Sequence, residues 1–497
     1  MITTLAFRHL LVRKVRSLFL LLGFSIGVGV MVVLLSVGEA MLDQSRDVSL
    51  VGGGEVTILP QGIDVEAMRT GGLGAMFFTI ERARFLTRQA LGGERHHDIV
   101  RTVAPAIEGK LLYLCPVKGE CHPAPVRAGG EIPSRAAALG AGIEVLEGRW
   151  HDSPADSAYV APSAQQLYDE MDRFHLPRTR DSTWGEWHYF NLVTGPDEWW
   201  YVTFLLGGEV SLTERGDRWG GRMLVTHRRP DGRHDRYTAD VPAARVAFDT
   251  ARADVAIGES FVRQREGEYR LRAEARGGGG RNARLDLVVR PEANRYFPPV
   301  ELRDDDFLSG YVVPALAASA TGRVCAAGRC AEVKDAPAYH DHNWGVWRDV
   351  TWEWGSARGE RLSLLYGGVY GPAGSSGSPF FLTLVDSLGV RRVLRFGKID
   401  YEGNRPADGV PGARAPERFT LTGTWEADTV RLSVSVDHAL ATEMAAASFR
   451  RLFLQMRGEF RLRGSVLGAV VADSGLGFFE TYVKGYSPNF TDIPPDR

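Results

Sequence analysis

Hydrophobic positions follow two regimes along this chain. From Leu18 to Val37 they run on with no charged residue and no proline. Such a stretch is long enough to cross a hydrocarbon core of about 30 Å and predicts one transmembrane helix. It shows no polar face of the kind a buried soluble helix keeps. From Asp181 onward the apolar residues come instead in short β-rich segments, such as Trp199–Leu206, Tyr269–Ala275, Arg361–Tyr366, Phe380–Leu384 and Phe453–Leu462. Gly, Pro, Asp or Asn separates these segments at roughly 8–15 residues, the spacing of sandwiches and barrels. This much antiparallel structure exceeds one ordinary barrel, so two are expected, dividing near residue 360.

Between the regimes the pattern is mixed. Glu55–Leu59 predicts a strand. Thr79–Leu91 predicts a helix with Thr79 as N-cap and Gly92-Gly93 as its stop. Gln165–Phe174 predicts a second short helix before a linker at 175–180, and Ala439–Ala446 the only helix of the β region. The expected fold class is mainly β: two tandem antiparallel barrels after a transmembrane helix and a small mixed α/β domain. The expected boundaries are 1–45 for the basic arm and anchor, 46–178 for the α/β domain, 179–360 for the first barrel and 361–497 for the second.

Charge sets the orientation. Arg8, Arg13, Lys14 and Arg16 precede the apolar stretch, and Glu39, Asp43 and Asp47 follow it. By the positive-inside rule the N-terminus stays in the cytoplasm and the domains beyond the membrane are extracytoplasmic, which in a two-membrane cell means periplasmic. The alternative is a cleaved signal peptide ending near Ser36-Val-Gly38, although signal cores usually run only about 7–15 residues. Lys+Arg number 59 against Asp+Glu 61, a net charge of −2, and give no reason to expect a nucleic-acid partner. The four cysteines form two local pairs, Cys115/Cys121 and Cys325/Cys330. An even count in an oxidising compartment favours two disulfides at hairpin tips. Free thiols and a zinc site are the alternatives, and the zinc reading finds only His122 beside Cys121.

The densest chemistry lies in Tyr339-His-Asp-His-Asn-Trp-Gly-Val-Trp347 and, about 155 residues upstream, in Trp184-Gly-Glu-Trp-His-Tyr-Phe190. On a strand, His340, His342 and Trp344 share one face, and Asp341 and Asn343 the other. Glu186, His188 and Phe190 likewise oppose Trp187 and Tyr189. Inward-facing polar groups need partners, because burying them unsatisfied costs a few kcal/mol each. If the histidine faces look into a barrel, they outline a cavity for a largely apolar ligand with one polar or reactive end. A structural latch at a domain junction, a ligand site without chemistry and a catalytic site all fit this pattern.

These motifs resemble the tandem lipocalin-like proteins that include the hydroxyneurosporene synthases (carotenoid 1,2-hydratases, CrtC) and the AttH-like proteins. The resemblance rests on Glu186-Trp-His-Tyr-Phe190, Ser309-Gly-Tyr-Val-Val-Pro314, Tyr339-His-Asp-His-Asn-Trp-Gly345 and Gly475-Leu-Gly-Phe-Phe-Glu-Thr-Tyr482, and covers roughly residues 180–485. It implies lipocalin-like barrels and either binding of a lipid or isoprenoid or hydration of a C=C bond. The strand after the junction motif carries Tyr366-Gly-Gly and Tyr370-Gly-Pro where the hydratases imply Tyr-x-Asp; Glu353 and Glu480 are the substitute acids. Leu5-Ala-Phe-Arg-His-Leu10, the basic arm, the apolar stretch and Gly52-Gly-Gly-Glu-Val-Thr-Ile-Leu-Pro60 resemble the start of an FtsX/MacB-type ABC permease, from which the chain departs by carrying no further hydrophobic span. This implies a tethered accessory of an ABC system, with permease and ATPase subunits as partners beside the hydrophobic ligand and the membrane.

The candidate acid or water-orienting group is His342, with Asp341 as its partner or as a structural hydrogen-bond acceptor. Glu186, His188, Tyr189, His340, Asn343, Trp344, Tyr366 and Glu480 are the candidate ligand contacts, with Trp344 and Tyr366 as cavity wall. A direct His342–Asp341 pair needs a bulge or bend, because the two alternate. No cofactor or metal is expected. The functions carried forward are ligand binding, a hydratase or isomerase, and a docking subunit without ligand.

Overall fold

A computed structural model describes residues 14–46, 80–93, 95, 97–114, 124–139, 153–156, 164–175, 183–208, 219–304, 307–347, 350–371, 380–444 and 451–484. The helices are α1 (Lys14–Arg46), α2 (Ile80–Gly92), α3 (Pro133–Ala138) and α4 (Ala164–Asp172). The chain forms two compact units, one of residues 1–79 and 100–157, the other of residues 80–99 and 158–497.

The first unit contains α1, α3 and the antiparallel pair β1 (Ala106–Leu114) and β2 (Ala124–Glu131). Helix α1 carries the uncharged stretch, and its described apolar side chains, Phe24 and Leu34 among them, are exposed. Among the described residues no helix is long and apolar enough to cross a membrane. The expected strand at 55–59 and the pair Cys115/Cys121 lie outside the described residues.

The second unit holds two closed antiparallel barrels of eight strands each. The wall of the first begins with β3 (Trp184–Gly195), β4 (Glu198–Gly208), β5 (Trp219–Arg228) and β6 (His234–Pro242). An excursion through β7 (Val246–Phe248), β8 (Asp254–Ile257) and β9 (Ser260–Arg265) follows. The wall resumes with β10 (Glu268–Arg276) and β11 (Asn282–Pro291), passes a side strand β12 (Phe297–Asp304), and ends with β13 (Phe307–Ala326) and β14 (Arg329–Val346). β14 pairs back onto β3, and one registered pair between β6 and β10 closes the ring.

The second barrel repeats this plan. Four strands, β15 (Thr351–Gly359), β16 (Ser363–Tyr370), β17 (Phe380–Asp386) and β18 (Gly389–Phe396), precede an excursion through β19 (Ile399–Glu402), β20 (Arg405–Pro406) and β21 (Arg414–Ala415). Four more, β22 (Arg418–Trp425), β23 (Asp428–Met444), β24 (Arg451–Val466) and β25 (Ala469–Lys484), complete it. β25 pairs with β15, and one β18–β22 pair closes the ring. Both barrels are thus meanders with an excursion between their fourth and fifth wall strands, as a tandem repeat would have.

Alternation builds these walls. In β5 and β11 buried and more exposed residues alternate nearly strictly, the signature of a strand with one face in a core. The β13–β14 hairpin turns through Ala327 and Gly328, both at positive φ, and Cys325–Cys330 is bonded across it. Helix α2 matches the expected Thr79–Leu91 almost unchanged, and α4 the expected Gln165–Phe174. Three expectations are corrected. Ala439–Met444 continues strand β23, because pairing with β24 overrides alanine's helical preference. The sheets change between Val346 and Thr351, ahead of residue 360. Helices α2 and α4 belong to the barrel unit, not to a separate 46–178 domain: Gln89 of α2 donates to the Tyr296 hydroxyl at 2.5 Å, and Gln165 of α4 donates to Gln264 of β9 at 2.6 Å.

Candidate functional site

Strand β14 separates the predicted site residues by face. In the register, His342 lies opposite His188, His340 opposite Phe190 and Trp344 opposite Glu186. These side chains enter the first barrel, whose core contains Phe190, Leu192 and Ala338. The other face carries Tyr339, Asp341 and Asn343 toward the second barrel. There Tyr189, Tyr201, Tyr311 and Tyr339 pack in one cluster with Trp354, Leu365 and Phe381. No bulge brings Asp341 to His342, so their expected pairing is corrected: strand alternation holds.

Inside the first barrel the partner of the histidines is Asp172, at the end of α4. Tyr168 and Phe174 flank it and pack on the barrel core. His342 Nδ1 lies 2.8 Å from Asp172 Oδ1, and His342 Nε2 lies 2.8 Å from Glu186 Oε1. His340 Nε2 lies 3.1 Å from Asp172 Oδ2, and its Nδ1 faces the Tyr189 carbonyl at 2.9 Å. Tyr269 donates its hydroxyl to Asp172 Oδ2 at 2.7 Å. His188 stacks on His342 at 4.0 Å between centroids, with its Nδ1 3.7 Å from Asp172 Oδ1. That nitrogen makes no hydrogen bond. His175 stacks on Trp344 at 3.7 Å, and its backbone N–H donates to Glu186 Oε1 at 2.6 Å.

The cluster is buried, and its electrostatics follow from that. Burial acts to raise Asp172, but the surrounding His340, His188 and His342 hold it well below the usual carboxylate range. Glu186 is lowered in the same way, burial being outweighed by His175 and His342. Burial acts to lower His342, but the two carboxylates outweigh it and push it up to about 9. Burial leaves His188 well below its ordinary value and so neutral.

The opposite face of β14 is built differently. Tyr339 donates its hydroxyl to Asp341 Oδ2 at 2.8 Å and accepts from the Trp354 indole of the second barrel at 3.0 Å. Asn343 donates to Asp341 Oδ1 at 2.7 Å. Burial, and then the charge of Glu480, push Asp341 well above the ordinary carboxyl range. Glu480 of β25 accepts from the Trp352 indole at 2.9 Å, and burial raises it to about 7. Tyr189, Asn191, Tyr201, Tyr339, Trp354, Gln455, Phe478 and Glu480 line a cleft between the barrels. It leaves about 10 Å³, room for about one water molecule.

The predicted residues therefore divide among three places. His342, His340, His188, Glu186 and Trp344 fill the first barrel; Asp341, Asn343, Tyr189 and Glu480 meet at the junction. Tyr366, expected with Trp344 as cavity wall, is corrected. It is buried in the second barrel's core with Phe419 and Phe479, and its hydroxyl makes no hydrogen bond. Nearby, Glu353 accepts from Tyr401 at 2.6 Å and from Thr481 at 2.8 Å. Burial raises Glu353 to about 7. Sequence reasoning missed Asp172, which lies about 170 residues before His342 and on a helix, where no spacing rule reaches. It also missed Trp354 and Tyr201, which the alternation of their strands would have placed on the junction face. Among the described residues, three groups could hold a metal ion: Asp172/His188/His340, His175/Glu186/His342 and His234/Asp408/His438.

No protein-family model matches the chain, and no curated protein matches it. Solved structures with a similar fold include a protein assigned as AttH from Nitrosomonas europaea, at a TM-score of 0.43 and 15% identity, covering 63% of this chain and 98% of that one. Kievitone hydratase of Nectria haematococca is similar at a TM-score of 0.39 and 13% identity, covering 61% of this chain and 90% of that one. CghA is similar at a TM-score of 0.42 and 11% identity, covering 64% and 95%.

Proposed function

We propose that the protein takes a largely apolar ligand into the cleft between its barrels and transfers a proton there, as a hydratase adding water across a C=C bond does. One observation carries this reading: Glu480, poised near neutrality, faces a cleft walled by Trp354, Phe478 and three tyrosines. An acid whose pKa lies near the working pH is both available and willing to give its proton. Protonation of one alkene carbon by the Glu480 carboxyl leaves a cation on the other. Facing aromatic rings would stabilise that cation by roughly 1–2 kcal/mol each when dry. Water then adds, and its proton returns to Glu480, so alkene plus water becomes alcohol. Tyr339, which lines the cleft and is held by Asp341 and Trp354, supplies a fixed hydroxyl to orient the water. The narrowness of the cleft requires its side chains to part as ligand enters.

That narrowness also favours a second reading, in which the junction only docks the barrels. Mass spectrometry of small molecules retained by the purified full-length chain separates the two. Ligand binding predicts an apolar species lost from Trp354→Ala and kept by His175→Ala. Recovery of the same species from both variants, or of none from the wild type, favours docking. Export fits the Cys325–Cys330 disulfide. Tethering through residues 18–37 beside an ABC system, with a lipid or isoprenoid as ligand, rests on the sequence alone.

A further inference from the structure

The first barrel's polar interior takes no part in that chemistry. We propose that Asp172, His188, His340 and His342 bind one Zn²⁺ as a closed structural site. Asp172, His188 and His340 each offer a ligand atom, all within 4.8 Å of one another. His342 Nδ1 adds a fourth at 2.8 Å from Asp172 Oδ1. The other separations on Asp172 are 3.1 Å to His340 Nε2 and 3.7 Å to His188 Nδ1. Ligand atoms around a tetrahedral zinc sit roughly 3.3 Å apart, given bonds of about 2.0–2.1 Å. The separations on Asp172, two on Oδ1 and one on Oδ2, lie on either side of that figure.

The outer contacts fit as well. A metal-bound histidine donates its other N–H to a carbonyl or carboxylate, which fixes the tautomer that presents a lone pair to the ion. His340 Nδ1 faces the Tyr189 carbonyl at 2.9 Å, and His342 Nε2 faces Glu186 Oε1 at 2.8 Å. With those protons placed, His340 Nε2 and His342 Nδ1 turn lone pairs toward an acceptor-only carboxylate, an arrangement that a cation between them would satisfy. Tyr269 satisfies Asp172 Oδ2 from outside. His188 Nδ1, fully buried and without a hydrogen bond, is the independent sign of a missing partner.

Without an ion, the same contacts can be met only by carrying extra protons on His340 and His342. That arrangement still leaves His188 Nδ1 unpartnered. Three nitrogens and one oxygen suit Zn²⁺. Four protein ligands leave no open position, so the ion pins α4 to β3 and β14 and does not activate water.

The test is elemental analysis of the full-length chain, expressed with added zinc and dialysed. The proposal expects one zinc per chain, retained by His175→Ala and lost from His188→Ala. A folded wild-type protein without metal overturns it, as does zinc retained in both His188→Ala and His340→Ala. Should those variants fail to fold, wild-type protein grown with Co²⁺ decides. The visible absorption of tetrahedral, nitrogen-rich cobalt supports the site, and its absence from folded protein rejects it.

Discussion

The two barrels share one plan and differ in what they enclose. Each is an eight-stranded meander with an excursion after its fourth wall strand. The first encloses Asp172, Glu186 and three histidines beside its apolar core. The second encloses an almost wholly apolar core, beside which the carboxyl of Glu353 is buried. Its Tyr401 and Thr481 partners are neutral. The same fold thus carries two electrostatic solutions. In the first barrel opposite charges lower the carboxylates and raise His342. In the second, burial without a cation raises Glu353. The junction follows the second solution, with Glu480 raised by burial, whereas the histidines serve the first barrel's architecture.

The largest effect tests the charged interior. Asp172→Ala removes the common acceptor of His340, His342 and Tyr269. It should cost about 3–5 kcal/mol in chemical unfolding, the penalty for breaking a buried ionic network. A loss below about 1 kcal/mol would mean the cluster is not a unit. Next is the pH dependence of the second solution. Glu353 and Glu480 stand at about 7 in the fold against the ordinary 4.5. The folded state holds their protons when the unfolded chain has released them. Their contribution is therefore present below about 4.5 and is lost as pH rises through about 7. Glu353→Gln should flatten that decline by up to about 3 kcal/mol, read as melting temperature against pH. An unchanged slope would show that Glu353 does not drive the decline. The smallest effect is at the hairpin tip. Cys325→Ser opens a short loop already held by the β13–β14 ladder, and should cost at most about 2 kcal/mol.

The two faces of β14 are legible in the sequence itself. Alternation alone sets His340 and His342 against Asp341 and Asn343, and turn spacing predicts two barrels. What is not legible depends on tertiary meetings. Asp172 comes from a helix whose sequence looks like an ordinary amphipathic turn, and only barrel closure brings it to His342. Ala439–Met444 reads as helix from its alanines, but neighbouring strands decide its state. Tyr366 lies in the second barrel by the expected boundary as well, yet it reads as cavity wall because nothing local shows that it packs into that barrel's core with Phe419 and Phe479.

That the junction face carries the chemistry is tested most directly by product formation in ¹⁸O-water. Full-length wild type and Glu480→Gln would be supplied with acyclic isoprenoid alkenes and the alcohols weighed by mass spectrometry. Proton transfer from Glu480 predicts labelled alcohol from the wild type and a rate lower by about 10²–10⁴ in a Glu480→Gln variant that still melts cooperatively. Labelled alcohol formed equally fast by Glu480→Gln would contradict it.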